Sequence, residues 1–153
     1  MSTQNIAAEN PDALVVGIDR SAARLTKSTN AGLPSNIILV QAECSDFWAL
    51  AKEAGWTLQK HFILYPNPYP KSKHLKRRWH GHPVFPILLA LGGELELRSN
   101  WQVYIDEFCT ATNFVKEGLC QGVESFQADS PLTLFEKKYQ ESGQELYRCR
   151  IVL

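Results

Sequence analysis

The stretch Ala13-Leu14-Val15-Val16-Gly17-Ile18-Asp19 decides the fold, because a short continuous apolar run ends there on an acidic residue. Helical patterns flank it at residues 2–9 and 20–30. A continuous apolar run is typical of a parallel strand covered on both faces, and an acid after the second strand is typical of nucleotide-binding α/β units. The strand and glycine-rich turn that normally precede this acid are missing from the sequence. We therefore expect an α/β sheet that is truncated at its N-terminal side.

Helices and strands continue to alternate after this stretch. Strands are predicted at 36–42, 60–65 and 94–98, helices at 45–54, 83–91 and 101–113, and an irregular segment at 66–80. A last pair of strands, near 121–127 and 145–152, brackets a short helix near 133–141. The strand at 94–98 alternates apolar and charged residues, so one of its faces is expected to be more exposed. The pattern predicts a mostly parallel sheet with an antiparallel C-terminal edge.

Length and composition favour one soluble domain over residues 1–153. The chain has 153 residues, of which 44% are hydrophobic, enough to bury a core. It holds no apolar stretch near the roughly 20 residues that span a bilayer and no secretory signal, so we expect a cytoplasmic protein without membrane contact. The four cysteines form no C-x-x-C pair, which predicts buried thiols rather than disulfides or a metal site. We expect a monomer or weak homo-oligomer.

Charge is distributed unevenly along a chain whose formal net charge is zero. Residues 54–93 hold six Lys and Arg residues, all four His residues and no Asp or Glu, so this window is +6 and the remainder is −6. Five of these cations fall within residues 71–78. Such a density indicates a polyanion-binding surface, although a solvated charged loop is an equally open interpretation.

Three polar residues follow three successive predicted strands, namely Asp19, Glu43 and Asn67. Ligands of open α/β sheets bind outside the carboxyl ends of the strands, so these side chains are expected to line one crevice. There, an acid after the second strand can accept both ribose hydroxyls of a nucleoside, and one after the third can accept an adenine amino group. The alternatives are a helix N-terminal cap for Asp19 and an ordinary loop acid for Glu43.

Residues 65–79 form the most distinctive segment, Y-P-N-P-Y-P-K-S-K-H-L-K-R-R-W. Prolines at alternate positions fix φ and end the strand, so Asn67 and Tyr69 are presented rigidly above the sheet. The cations that follow suit phosphates, and Tyr69 and Trp79 offer flat faces for a base. The segment predicts an active-site loop joined to a phosphate-binding arm. A polyproline linker or SH3-type ligand is less favoured, because an apolar strand leads directly into the prolines.

These residues resemble the bacterial tRNA (guanine-N7)-methyltransferases, a family that uses S-adenosylmethionine. In that family the fourth strand ends in F-P-D-P-W-P-K, followed by H-x-K-R-R. Here positions 65–71 are Y-P-N-P-Y-P-K and positions 74–78 are H-L-K-R-R. The likeness continues with Gly92-Gly93-Glu94-Leu95 before a strand, with Ser99-Asn100-Trp101 where the family has T-D-W, and with Thr133-Leu134-Phe135-Glu136 where it has T-K-F-E. It covers essentially the whole chain from Ser2 onward.

The resemblance implies a Rossmann-like class I methyltransferase sheet, S-adenosylmethionine as cofactor, tRNA as partner and methyl transfer to guanine N7. Asp19 and Glu43 then contact the cofactor on its ribose and adenine sides, and Asn67 matches a position used for cofactor binding and catalysis. Guanosine-binding positions of the family match Lys71, Asn100, Thr133, Leu134, Phe135 and Glu136. The cations expected along the RNA backbone are Lys73, His74, Lys76, Arg77 and Arg78.

The sequence departs from the family in three ways. The cofactor-side glycine loop is missing, and Asn67 and Asn100 each stand where the family has Asp. Weak cofactor affinity is therefore expected, and restoring both Asp residues in a full-length version is expected to raise activity. In the family sheet the first strand lies between the strands that are here 13–18 and 60–65, so those two either close up or leave costly unpaired edges.

Two other functions compete with the methyltransferase. One is a non-catalytic RNA-binding remnant that keeps the basic arm and has lost the cofactor site. The other is a nicotinamide-dependent oxidoreductase, since Asp19 would suit the ribose of that cofactor as well. The basic segment 71–78 argues against hydride transfer.

Overall fold

The computed structural model describes residues 2–29 and 32–153, and the predicted alternation of helices and strands is confirmed. The strands are β1 Val15–Asp19, β2 Ile37–Gln41, β3 Lys60–Leu64, β4 Glu94–Ser99, β5 Cys120–Phe126 and β6 Leu146–Val152. The helices are α1 Ser2–Glu9, α2 Ala22–Thr29, α3 Cys44–Glu53, α4 Phe85–Ala90, α5 Gln102–Val115 and α6 Leu134–Glu141. The predicted helix 20–30 ends on Asn30, which lies outside the described residues. Two short 3₁₀ helices, Ser72–Arg77 and Trp79–Gly81, lie within the segment predicted to be irregular.

The described strands form two sheets rather than one. β1 and β2 pair in parallel, from Val15 opposite Ile37 to Asp19 opposite Gln41. The second sheet has the order β3-β4-β6-β5; β3 and β4 are parallel, whereas β6 runs antiparallel to both β4 and β5. The antiparallel C-terminal edge is therefore confirmed. The alternative in which strands 13–18 and 60–65 close up is wrong, because β1 and β3 share no hydrogen-bonded ladder within residues 2–29 and 32–153.

The hydrophobic core belongs to the second sheet and the helices around it. Its fully buried side chains come from α4 and the residue that follows it, β4, α5 and β6, and include Leu88, Leu91, Leu95, Leu97, Ile105, Phe108 and Ile151. Among the described residues before Trp48, Ala7 is the only buried apolar side chain. Residues 44–153 thus hold nearly all of the apolar burial that stabilises a fold.

Residues 2–43 are joined mainly by polar contacts and one close approach of backbone. The Asn36 side-chain amide donates to three carbonyls that end α1 and lead into β1, those of Ala7, Asn10 and Ala13, at 3.1, 3.0 and 2.9 Å. At Gly17, a Cβ would lie 2.5 Å from the Thr3 hydroxyl, so only glycine lets α1 pack this closely on β1. The hydrogen bonds of Asn36 and the close contact at Gly17 therefore contribute much of the packing among α1, β1 and β2.

The charged face of β4 is more exposed than the apolar face, as predicted, since Glu94 and Arg98 are partly buried while Leu95 and Leu97 are fully buried. The difference is small: Glu96 is only 6% exposed, because β4 is central in its sheet, between β3 and β6. Glu96 is tolerated there because Arg98 and Arg150 donate to it at 2.6 and 3.0 Å. Burial alone would raise the pKa of this carboxyl, but the hydrogen bonds from Arg150 and Arg98 hold it below its ordinary value. An alternating pattern can thus mark a buried ionic row as well as a solvated face.

The prediction that all four cysteines are thiols is also wrong. Cys109 of α5 and Cys120 of β5 form a disulfide with a Cα–Cα distance of 5.4 Å, while Cys44 and Cys149 are free. The Asn113 side chain bonds both the amide and the carbonyl of Cys120 at 2.8 Å and so fixes the start of β5 beside α5. This pairing depends on how the helix meets the strand, which spacing does not reveal. None of the described helices has the length and apolar character to cross a membrane.

Candidate functional site

Asp19 and Glu43 lie together at the carboxyl end of the first sheet. Asp19 is the last residue of β1, and Glu43 follows β2 and immediately precedes α3. Arg20 pairs with Glu43 at 3.4 Å, and Arg24 pairs with Asp19 at 3.2 Å. The two carboxylates thus face the same end of one parallel sheet, and each has an arginine beside it.

The structure partly supports the alternative roles of the two acids, a helix cap for Asp19 and a loop acid for Glu43. One Asp19 oxygen accepts the backbone N–H of Ser21 at 2.8 Å, so this carboxylate does help to turn the chain into α2. Glu43 is the residue before α3 but makes no side-chain capping bond, and α3 begins at Cys44, one residue before the predicted helix 45–54. Glu43 is half exposed and thus remains open to a ligand.

The pKa of the Cys44 thiol responds to the charges at this end of the sheet. Burial raises its pKa first, the charges of Glu43 and Asp19 raise it further, and Arg20 opposes them. Both carboxylates therefore act on one point at the start of α3. Acceptors of this kind fit the ribose hydroxyls and the amino group of a nucleoside.

The loop that follows β3 is held in a strained conformation. Tyr65 and Tyr69 have φ of 51° and 44°, values that non-glycine residues rarely adopt. Such residues cost on the order of 1–3 kcal/mol each and persist only where their surroundings impose them. Between them Asn67 is exposed, and its side-chain oxygen accepts the Tyr69 N–H at 3.2 Å. Asn67 is thus exposed between two strained residues, as expected, and the rigidity of the turn stays a prediction.

A buried ionic cluster anchors the start of this loop. The Tyr65 hydroxyl donates to Glu136 at 2.8 Å, and the Tyr65 N–H donates to the Arg98 carbonyl, also at 2.8 Å. Glu136 is 0% exposed and also receives Arg98 at 2.9 Å. Burial raises the pKa of Tyr65, and the hydrogen bond to Glu136 raises it further. Glu136 thus faces the interior, and its carboxylate reaches the loop through Tyr65.

The end of the loop is anchored by Arg78, which the sequence placed along an RNA backbone. Arg78 is 7% exposed, and its guanidinium donates to the Tyr69 carbonyl at 3.2 and 3.1 Å and to the Pro70 carbonyl at 3.4 Å. It also pairs with Glu107 of α5, which bonds His80 at 3.0 Å. The structure therefore separates Arg78 from the other cations of the segment.

Those other cations stay at the surface. Lys71, Lys73, Lys76 and Arg77 are exposed, and His74 is partly buried. The Arg77 guanidinium lies 5.9 Å from the centre of the Tyr69 ring, and the His74 ring meets the edge of the same tyrosine at 6.1 Å. The exposed cations therefore begin directly beside the strained loop.

The start of α6 lies close to the same loop. Thr133 caps the helix by accepting the Glu136 N–H at 2.9 Å, while Leu134 and Phe135 are 69% and 48% exposed. Phe135 stacks on Tyr139, which in turn contacts the Tyr65 ring at 5.7 Å. The predicted positions 133–136 are thus joined to the proline loop by aromatic contacts.

Asn100 is the predicted site residue that engages a different partner. It follows β4, and its side chain donates to the Gln144 side-chain oxygen at 2.8 Å. Nothing in the sequence indicated this pair, because the two residues are 44 positions apart. Tyr65, Arg98 and Glu107 were also missed; among them only Arg98 had a signal, as one of the alternating charged residues of the strand at 94–98. Across residues 2–29 and 32–153 we find no cluster of His, Cys, Asp and Glu that could hold a metal ion.

The fold is that of the class I methyltransferases, as superposition on solved structures shows. The solved structure titled 16S rRNA methyltransferase KamB superposes on 99% of this chain and 82% of its own with a TM-score of 0.67, at 14% sequence identity. A family model described as "Putative methyltransferase" matches residues 1–149. The chain belongs to this methyltransferase family.

Curated relatives of known name are similar along most of the chain. The tRNA (guanine-N(7)-)-methyltransferase of Geobacillus kaustophilus is 25% identical over 154 residues, which cover 94% of this chain and 70% of that protein. The enzyme of the same name from Treponema pallidum strain Nichols is 29% identical over 156 residues, covering 95% of this chain and 60% of that protein. The chain therefore spans between three fifths and just over two thirds of the length of these two relatives.

Proposed function

We propose that this protein transfers a methyl group from S-adenosylmethionine to N7 of a guanine in tRNA. The observation that carries this proposal is the loop after β3, in which exposed Asn67 stands between two strained tyrosines and is followed directly by exposed cations. The names of the relatives support tRNA and guanine N7 as the substrate. Since that substrate is tRNA, we expect the protein to act in the cytoplasm.

The reaction asks for positioning rather than for a base. S-adenosylmethionine, when bound, supplies an electrophilic methyl group on a sulfonium. Guanine N7 carries a free lone pair, so the new N–C bond forms as the S–C bond breaks, with no proton to abstract. Holding the two reactants in line is worth several kcal/mol by itself. A rigid loop at the strand end suits this task.

Each part of the site has a role in this proposal. Asp19 and Glu43 accept hydrogen bonds from the cofactor, and their arginine neighbours must move aside for it. Asn67 orients the methionine end of the cofactor or the base through its amide. Lys71, Asn100 and the start of α6 contact the guanosine, where exposed Phe135 offers an aromatic face. Lys73, His74, Lys76 and Arg77 line the RNA backbone.

Glu136 and Arg78 fit less direct roles in this arrangement. Glu136 is fully buried and bonded to Tyr65 and Arg98, so it supports the loop from below. Arg78 is bonded to loop carbonyls. Both therefore act on the substrate through the residues that they hold.

A second function remains in competition because of the arginines beside the carboxylates. Arg24 and Arg20 occupy Asp19 and Glu43, as expected of a cofactor site that is weak or lost. A non-catalytic RNA-binding protein would keep the cationic surface and bind S-adenosylmethionine only at millimolar concentration or not at all.

Methylation of bulk tRNA with labelled S-adenosylmethionine tests the proposal directly. After nuclease digestion, mass spectrometry should find N7-methylguanosine in samples treated with the protein and should find little of it with Asn67→Ala. Lys73→Ala and Lys76→Ala should weaken tRNA binding, and each should reduce the salt slope by about 0.7–0.9. Lys60→Ala is the matched control, because Lys60 is an exposed lysine at the opposite, amino end of β3.

The outcome separates the two functions. Absence of N7-methylguanosine together with salt-dependent tRNA binding and no measurable heat of binding for S-adenosylmethionine would favour the RNA-binding protein. A methylated base other than guanine would overturn the assignment of the substrate.

A further inference from the structure

Arg78 differs from every neighbouring cation of its segment in its surroundings. It is 7% exposed, whereas Lys71, Lys73, Lys76 and Arg77 are all exposed. A buried guanidinium is costly unless its donors are satisfied. Its contacts should therefore reveal what it does.

The guanidinium of Arg78 is hydrogen-bonded to other residues of the protein. Nε and Nη2 donate to the Tyr69 carbonyl at 3.2 and 3.1 Å, and Nη2 also reaches the Pro70 carbonyl at 3.4 Å. Nη1 pairs with Glu107, which extends from α5. A phosphate would have to displace these bonds to reach the guanidinium.

The carbonyl that Arg78 holds belongs to a strained residue. Tyr69 has φ of 44°, and its N–H is bonded to the Asn67 side chain at 3.2 Å. The same residue therefore contacts Asn67 through its N–H and Arg78 through its carbonyl. Glu107 and His80 complete the support, since His80 bonds the same Glu107 oxygen at 3.0 Å.

We propose that Arg78 is a positioning residue that fixes Tyr69, and through it Asn67, in the conformation needed for methyl transfer. This inference rests on the proposed function, because the reaction is what the fixed loop serves. It replaces the sequence-based role of Arg78 as an RNA-backbone contact. A fork of donors is required, so lysine cannot substitute for arginine here.

The kinetic test compares Arg78→Lys with Lys60→Arg in the whole protein, because Lys60 is an exposed cation at the opposite end of β3 from the proline loop. Both variants keep the charge, so a phosphate contact would survive in either. We expect kcat of Arg78→Lys to fall about 10-fold to 100-fold, the effect of a small misplacement at a reacting centre, with KM for tRNA unchanged. Lys60→Arg, at an exposed position outside the proposed site, should keep its kcat within a factor of three. Equal kcat values for Arg78→Lys and the unmodified protein would overturn the proposal.

The salt dependence of tRNA binding gives a second contrast. Arg77→Met should lower the slope of log Kd against log salt by about 0.7–0.9, as expected for one lost phosphate contact. Arg78→Met should leave that slope unchanged. An equal loss of slope in both variants would assign Arg78 to the RNA backbone and overturn the proposal.

Amide hydrogen exchange tests whether Arg78 fixes Tyr69, and it requires no measurement of methylation. The Tyr69 N–H is bonded to the Asn67 side chain, and we expect it to exchange at least tenfold faster in Arg78→Lys but not in Arg77→Lys. Glu107→Gln should produce the same pattern to a smaller degree, which covers the case in which Arg78→Lys fails to fold. Unchanged exchange in both Arg78→Lys and Glu107→Gln would refute the role of Arg78 in fixing Tyr69. If these variants exchange as expected but the unmodified protein methylates no tRNA, only the proposed function is refuted.

Discussion

Residues 2–43 and 44–153 are built in different ways, although both contribute to the candidate site. The second region packs a four-stranded sheet against helices and holds nearly all buried apolar side chains. The first region is a two-stranded sheet with two helices, joined by Asn36 and by the close contact at Gly17. The carboxylates Asp19 and Glu43 thus belong to the weakly buried region or its border, while Asn67 belongs to the well-packed one. Cofactor affinity and loop geometry should therefore respond to different mutations.

The largest expected effect is a cavity in the second region. Phe108 is fully buried, so Phe108→Ala should lower the free energy of unfolding by about 3–5 kcal/mol. Urea unfolding followed by circular dichroism measures this change. Ile38→Ala is the contrasting variant, because Ile38 is 47% exposed and should cost less than about 1 kcal/mol. Similar losses for both would show that the two regions share one core.

A pH effect should also arise from the second region. His61 of β3 is 8% exposed, neither ring nitrogen has a hydrogen-bond partner, and burial lowers its pKa to about 4. The unfolded chain binds a proton near pH 6.5 while the folded chain does not, so stability is full above pH 6.5 and falls as the pH drops toward 4. The loss approaches about 3 kcal/mol. Urea titrations at pH 7 and pH 4.5 measure it, and His61→Leu should remove this part of the pH dependence; a dependence that persists unchanged would exclude His61 as its source.

A smaller and more local effect is expected in the first region. Asn36→Ala removes three hydrogen bonds to carbonyls near α1 and β1, at a cost of about 1–3 kcal/mol. Hydrogen exchange should accelerate for amides in residues 2–19 and remain slow in β4 and α5. If exchange accelerated equally in both regions, they would unfold as one unit.

The smallest effect should come from the ion pair between Arg20 and Glu43. Both side chains are largely exposed, at 75% and 49%, and such pairs contribute little. Arg20→Gln should therefore change the free energy of unfolding by less than about 0.5 kcal/mol. Calorimetry with S-adenosylmethionine should at the same time show equal or tighter binding, since Glu43 loses a competitor; weaker binding would mean that Arg20 itself contacts the cofactor.

The order of elements was predictable because each one carries a local signal. The apolar runs at β1, β2 and β3 lie where the sequence placed strands, and Gly92-Gly93 precede β4 as expected. The positions of the carboxylates at strand ends followed from the same logic. The proline segment gave both the rigid turn and the exposed cations.

Contacts between residues that are far apart in the chain could not be predicted from the sequence. Arg78 could not be distinguished from Arg77, because only the fold brings Glu107 and the Tyr69 carbonyl to one of them. The Cys109–Cys120 bond and the burial of Glu96 have the same origin, since each depends on which strand or helix lies next to it. A local pattern can predict where a residue lies in its element, but not which neighbour satisfies it.

One edge of β1 pairs with β2, and the other has no strand partner among residues 2–29 and 32–153. Strand edges are commonly protected by lysine, proline or an inward charge, yet Val15-Val16-Gly17-Ile18 contains none of these. Such an edge can recruit an extended segment of any neighbouring molecule. Concentrated solutions should accordingly show reversible self-association by sedimentation velocity, and a lysine introduced at Val16 should suppress it.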